Sequence, residues 1–267
     1  MGNAQSSDDR RVSDDLPWSP DDACSACQTP CEEHGDFGFT PKGGPLVGTF
    51  KPYDLHVVVS TELKSWPARP EFVPGGTVSR IKSSFGSIKF DDSVLITYSD
   101  LAPATFDTLE LLIFPDLIRV AAPSTKYLPA ISQYLQSIGV PNKAPYLGEF
   151  PDPPADVTVT RVTQSYLFVC THKNRNERCG LSGPPLIDAF NASIEKHGLQ
   201  DSVVVAGSSH FGGHKYAGVV IAYPSGDWYG RLKLCDADVF IREQFVEKRI
   251  LKPHWRGRYG LRPTELY

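Results

Sequence analysis

A chain of 267 residues that is 40% hydrophobic has enough apolar material for one large or two ordinary domains with real cores. Its net charge of −4, with no basic patch interleaved with aromatics, excludes a nucleic-acid-binding footprint. There is no apolar run of the roughly 18 residues that could span a bilayer, and the polar start from Met1 to Asp9 lacks a signal-peptide core. The six cysteines are therefore expected in a reducing, cytoplasmic setting, where thiols grouped with histidines read as metal or redox ligands before disulfides.

In chain order, Gly2 followed by Ser6 fits the N-myristoylation pattern, and an ordinary unstructured start fits equally well. One acyl chain beside Asp8 and Asp9, with no polybasic second signal, gives only weak membrane association. Residues 1–48 are polar, rich in Pro and Gly and without period, as expected of an irregular arm. Within it, Cys24, Cys27, Cys31 and His34 have a spacing able to close on one zinc ion. On a flexible arm the same groups read more simply as solvated or redox-active thiols.

Residues 49–150 have the pattern of an α/β domain. The β-branched run Leu55–Val59 reads as a buried strand, Val78–Phe85 as a short helix, and Val94–Tyr98 and Leu109–Phe114 as further strands. Leu128, Ile131, Leu135 and Ile138 form one stripe of a helix over Tyr127–Ile138, capped by Ser124 or Thr125 and stopped by Gly139 and Pro141. Pro145, Pro151, Pro153 and Pro154 mark a linker.

Residues 155–267 repeat a similar order. Tyr166–Val169 is a continuous apolar run, the mark of a central strand covered on both faces, and Cys170 ends it. A polar loop carrying Lys173, Arg175 and Arg178 leads to Cys179 and Gly180, and Pro184 and Pro185 open a helix with Leu186, Phe190 and Ile194 on one side. Val203–Ala206 is a second inner strand. After a loop holding His210 and His214, Ala217–Ala222 and Trp228–Leu232 form a hairpin turning at Pro224–Asp227, and Asp236 caps a last helix running towards Ile250. The order predicts an α/β protein of two thioredoxin-like domains, the first degenerate, behind the N-terminal arm.

Two pairs of ligands stand out: Cys170 and Cys179 around an eight-residue loop, and His210 and His214 around Gly212–Gly213. Zinc takes such a Cys2His2 set tetrahedrally, and so does a [2Fe-2S] cluster in which imidazoles replace thiolates on one iron. Each residue alone would be an ordinary buried cysteine or a hydrogen-bonded histidine. The long Cys-x8-Cys loop is wider than the usual zinc knuckle, which favours a cluster, whereas His-x3-His is normal for zinc. The two glycines suit a backbone passing close to a bound group. Cys235 has no partner in sequence and reads as structural.

The segments Phe168–Cys170, Arg178–Gly180, His210-Phe-Gly-Gly-His214-Lys215 and Trp228–Gly230 resemble the sucrase/ferredoxin-like family, a branch of the thioredoxin-like ferredoxins. The resemblance is strong over Val157–Gly230 and weak over Leu55–Trp66. It implies that the C-terminal domain is a thioredoxin-like ferredoxin holding a [2Fe-2S] cluster through Cys170, Cys179, His210 and His214, the thiolates on one iron and the imidazoles on the other. Where many relatives have Val, this chain has Phe211, a larger side chain able to alter solvent access. The sucrose-cleaving label in the family's name has no support here, because no placed pair of carboxylates stands out.

The expected function is electron transfer with a redox partner protein, rather than catalysis on a substrate of its own. Imidazole ligation should raise the potential above that of an all-cysteine ferredoxin and couple it to protons. Lys173, Arg175, Arg178 and Lys215 would steer an acidic reductase. Two other readings use the same scaffold: a thiol-disulfide oxidoreductase, though the Cys-x-x-Cys at a helix start is missing, and a zinc-stabilised interaction module.

Overall fold

The structure is a computed structural model that describes residues 16–20, 37, 44–86, 88, 93–105, 107–142 and 146–261. Gly2 and the array of Cys24, Cys27, Cys31 and His34 lie outside the described residues.

The first half contains β1 (Leu55–Ser60), α1 (Thr77–Phe85), β2 (Val94–Ser99), β3 (Leu109–Phe114), β4 (Ile118–Ala122) and α2 (Leu128–Ser137). After β5 (Thr158–Arg161), the second half contains β6 (Ser165–Cys170), α3 (Glu177–Lys196), β7 (Val203–Ser208), β8 (Val220–Tyr223), β9 (Asp227–Tyr229) and α4 (Asp236–Ile241), and β10 (Trp255–Arg258) follows. In each half the first two strands are parallel and joined by a helix, and the third runs antiparallel to the first and turns into a hairpin. This is the thioredoxin-like order, present twice.

All ten strands join one sheet in the order β10-β9-β8-β6-β7-β2-β1-β3-β4-β5. The halves meet where β2 and β7 pair antiparallel at Ser99 and Ser208. Register then equates β1 with β6 and β2 with β7, so that Ser60 occupies in the first half the place of Cys170 in the second. β5 was not foreseen; it pairs with β4 and extends the far edge of the first half.

Alternation along the strands assigns the faces. Leu55, Val57 and Val59 join Ile81 and Phe85 of α1 and Leu128, Ile131 and Leu135 of α2 in one core. Val58, Leu112 and Phe114 face the other way, into a second core shared with β6, β8 and α3. There the ring of Phe114 stacks on that of Tyr223, with centroids 4.0 Å apart, and His56 lies 6.0 Å from Phe168. The face of the first half away from α1 and α2 thus closes on the second half, which buries residues from strands far apart in the sheet order.

The part of the N-terminal arm that is described has no regular element but is packed. Trp18 pairs with Ile250 and meets the edge of Trp255 at 5.2 Å, and Leu46, with Phe50 just beyond the arm, enters the second core. The last helix is shorter than the sequence suggests: after Ile241 the backbone widens into a π turn over Arg242–Val246. There Glu243, 1% exposed, is bound by Arg242 and Arg249, which explains how a carboxylate is tolerated inside.

Candidate metal centre

Cys170 is the last residue of β6, and the chain then crosses a polar turn into α3. The helix begins at Glu177 and not at Pro184. Asn176 is in an extended conformation and accepts from the backbone N of Arg178 at 3.1 Å, and Glu177 suits the positive end of the helix. The two prolines therefore sit inside the helix. As a result Cys179 is not at the end of a loop but in the first turn of α3, held over Cys170. Gly183 makes this approach possible, since a Cβ there would lie 2.5 Å from the carbonyl oxygen of Cys170.

His210 and His214 lie after β7, in the turn that leads to β8. The ligand atoms of Cys170, Cys179 and His210 all lie within 4.8 Å of one another. Nδ1 of His210 is 3.7 Å from the Cys170 sulfur. His214 is outside this tight group, exposed, with its ring 5.5 Å from that of His210. Three of the four residues singled out from the sequence therefore converge closely and the fourth stands beside them at the surface. Cys235, the N-cap residue of α4, is not in the group.

The thiols are electrostatically unequal. Cys170 is held well below the usual thiol range, first by a hydrogen bond from Cys179 and then, against burial, by His210 and the backbone N–H of His172. Cys179 is pushed up by the same contact and by burial. One proton on Cys179 thus serves both sulfurs, and Cys170 is poised as a thiolate, the form that binds metals. Burial lowers the pKa of His214, and the charges of His210, Arg178 and Arg175 lower it further, so its imidazole is kept neutral and able to ligate.

Sequence reasoning missed two residues that shape the site. His172, 2% exposed, accepts a hydrogen bond on Nδ1 from the backbone N of His210 at 3.0 Å. Its Nε2–H donates to the carbonyl of Trp66 at 3.2 Å, and the Trp66 ring stands edge-on to it. The loop after β1, from the first half, is thereby pinned over the site in the second. The other is Arg256 in β10, which packs against Gly213. No local motif marks either one, because each acts through contacts with distant segments.

A profile of sucrase/ferredoxin-like proteins matches residues 46–257. The chain belongs to the sucrase/ferredoxin-like family. The match takes in both halves and ends inside β10, so the family unit includes Arg256 as well as the cysteines and histidines. Among curated relatives, Altered inheritance of mitochondria protein 32 from Debaryomyces hansenii is 37% identical over 101 residues, 36% of each chain. The protein of the same name from Candida glabrata is 25% identical over 245 residues, 76% of each chain. Actin patches distal protein 1 from Saccharomyces cerevisiae is 33% identical over 89 residues, 29% of this chain and 28% of that one. The first of these alignments thus spans little more than a third of the relative's length. A solved thioredoxin-like [2Fe-2S] ferredoxin from Aquifex aeolicus aligns at 20% identity with a TM-score of 0.33, covering 38% of this chain and 96% of that one.

Phe211 has its own place beside the candidate site. It is 6% exposed and packs edge-on against Trp228 at 5.4 Å, so its bulk fills the core beneath the histidine turn rather than the site's mouth. The donor set fits a [2Fe-2S] group: a thiol whose pKa is lowered, a second thiol beside it, an imidazole in reach and a further imidazole at the rim.

Proposed function

We propose that this protein is an electron carrier holding a [2Fe-2S] cluster, with Cys170 and Cys179 on one iron and His210 and His214 on the other. The convergence of three of these ligand groups within 4.8 Å, on a redox-type fold, carries the reading. When bound, such a cluster supplies one-electron chemistry at a potential above that of an all-cysteine plant-type ferredoxin.

The chain's own residues prepare the site. The Cys170–Cys179 contact lowers the pKa of Cys170 and so favours the thiolate that a metal needs, and His172 fixes the backbone of His210. His214 is exposed, the charges of Arg175 and Arg178 act on it, and Lys173 and Lys215 are exposed on the same loop and turn. This rim suits an acidic redox partner docking over the histidine, and charge reversal at Lys173 and Lys215 should slow association most at low salt.

Anaerobic purification, iron and sulfide analysis and electron paramagnetic resonance of the reduced protein test the reading. A brown-red protein with equal iron and sulfide and a Rieske-like signal that His214→Cys shifts is the expected result. A colourless protein carrying zinc would overturn it.

One observation favours a second reading, a thiol-disulfide oxidoreductase: the Cys170 thiolate accepts from a thiol in the first turn of α3, a dithiol arrangement. A metal-free protein that reduces disulfides and loses that activity in Cys179→Ser would establish it.

Among the described residues no helix is long and apolar enough to cross a membrane. A cytoplasmic setting, with Gly2 acylation as the source of any membrane contact, completes the proposal, and the mass of the native N-terminus tests the acylation.

A further inference from the structure

Arg256 is 1% exposed and has no carboxylate partner among the described residues. Its Nε donates to Thr49 Oγ1 at 3.1 Å and its Nη2 to the Thr49 carbonyl at 2.6 Å, while Nη1 is buried with no hydrogen-bond partner. The guanidinium is held between two aromatic rings, 5.2 Å from the centroid of Tyr216 and 5.5 Å from that of Trp228. It lies directly behind the turn that joins His210 to His214. A Cβ on Gly213 would be 2.5 Å from Nη2 and 2.6 Å from Nη1, and at φ +82° only glycine is at ease there.

A buried cation with one donor left over is costly unless an anion compensates it. Burial pulls its pKa down to about 10, and Tyr216 and Cys170 act against that, so the guanidinium stays charged at neutral pH and the Cys170 sulfur is among the groups that favour its charge. Thr49, ahead of β1 and far from β10 in sequence, supplies both of its anchors.

The geometry points to Arg256 as the internal counter-charge of the metal centre: a fixed cation behind the His210–His214 turn that offsets the negative charge of the thiolates and the bound group, and so favours the reduced, more negative state. This rests on the reading of the site as an iron-sulfur centre and adds to it which residue sets the potential from inside the protein. The exposed lysines and arginines of the rim are screened by water and salt, whereas a desolvated guanidinium is not.

Spectroelectrochemical titration of the cluster-loaded protein, wild type against R256Q and T49V, tests this. R256Q removes the charge, and its midpoint potential should fall. T49V keeps the charge but removes one anchor, and it should shift in the same direction by less. A purely structural arginine would instead lower the melting temperature and leave the potential and g-values of the folded fraction unchanged. An R256Q protein that holds wild-type iron at the wild-type potential overturns the inference. Should R256Q fail to fold, an unshifted potential in T49V overturns it. Wild-type protein that binds no iron and sulfide would sink the electron-carrier reading itself, which keeps the two failures apart.

Discussion

Ser99 and Ser208 are cross-strand partners at the seam between the two halves, and each hydroxyl reaches the other strand's backbone: Ser99 Oγ donates to Gly207 O at 2.9 Å, and Ser208 Oγ to Tyr98 O at 3.2 Å. The neighbouring residues repeat the exchange. Asp100 Oδ1 accepts from Gly207 N at 2.8 Å, and Ser209 Oγ accepts from Tyr98 N at 2.9 Å. The seam is an approximate two-fold built from four side chains.

Ser99 is fully buried, so its replacement by alanine leaves the Gly207 carbonyl with the Asp100 N–H alone, at 3.2 Å, and takes the acceptor from the Leu101 N–H. S99A should cost about 1 kcal/mol, read as a lower urea midpoint with an unchanged slope. A variant as stable as wild type would show that the seam is held by backbone pairing alone.

The His172 side chain acts on the candidate centre through the His210 backbone and the Trp66 carbonyl. H172A should retain the fold yet release iron to a chelator roughly tenfold more readily, as is usual when the group orienting a ligand is lost. Iron retention equal to wild type would limit His172 to packing.

His56 is fully buried between Tyr223 Oη, 2.8 Å from Nδ1, and Thr97 Oγ1, 2.9 Å from Nε2, and burial lowers its pKa from 6.5 to about 3. Because the folded-state value lies below the unfolded one, stability is complete above pH 6.5 and falls as the pH drops from there towards 3. The full loss is about 5 kcal/mol at 1.36 kcal/mol per unit. Urea unfolding at pH 7 and pH 4.5 should show H56Q losing less stability than wild type over that interval.

Asp116 runs the other way. Burial raises its pKa from 3.8 to about 6, and only one carboxylate oxygen is satisfied, by Asn142 N at 3.2 Å. The stability associated with its protonated form is complete below pH 3.8 and lost as the pH rises through 6. D116N should therefore be more stable than wild type by about 2–3 kcal/mol at pH 7.5 and no more stable at pH 3.5. Equal stability at both pH values would mean that the buried charge is compensated.

The residues alone made the helices with clear stripes legible. Leu128, Ile131 and Leu135 place α2 within a residue or two of its observed ends, and Val78, Ile81 and Phe85 do the same for α1. Three short strands, β4, β5 and β10, went unseen. β4 is interrupted by Arg119, whose guanidinium reaches across to the hydroxyl of Tyr166, and β5 is mostly exposed, so neither shows a run of apolar residues. The start of α3 was misread because proline is a strong local signal, while the Asn176 cap and the packing of Gly183 on Cys170 depend on a folded neighbour.

The linear order of residues determined the chemistry on offer: two thiols and two imidazoles at spacings that suit a metal, on strands and helices whose periods are local properties of the chain. Tertiary structure alone decided how that chemistry is set. It set Cys179 over Cys170 so that the contact lowers the pKa of one thiol and raises that of the other, brought Trp66 and His172 over the site, and left Arg256 behind it with an unspent donor. Those outcomes depend on burial and on distances between segments remote in sequence, and no local pattern encodes either.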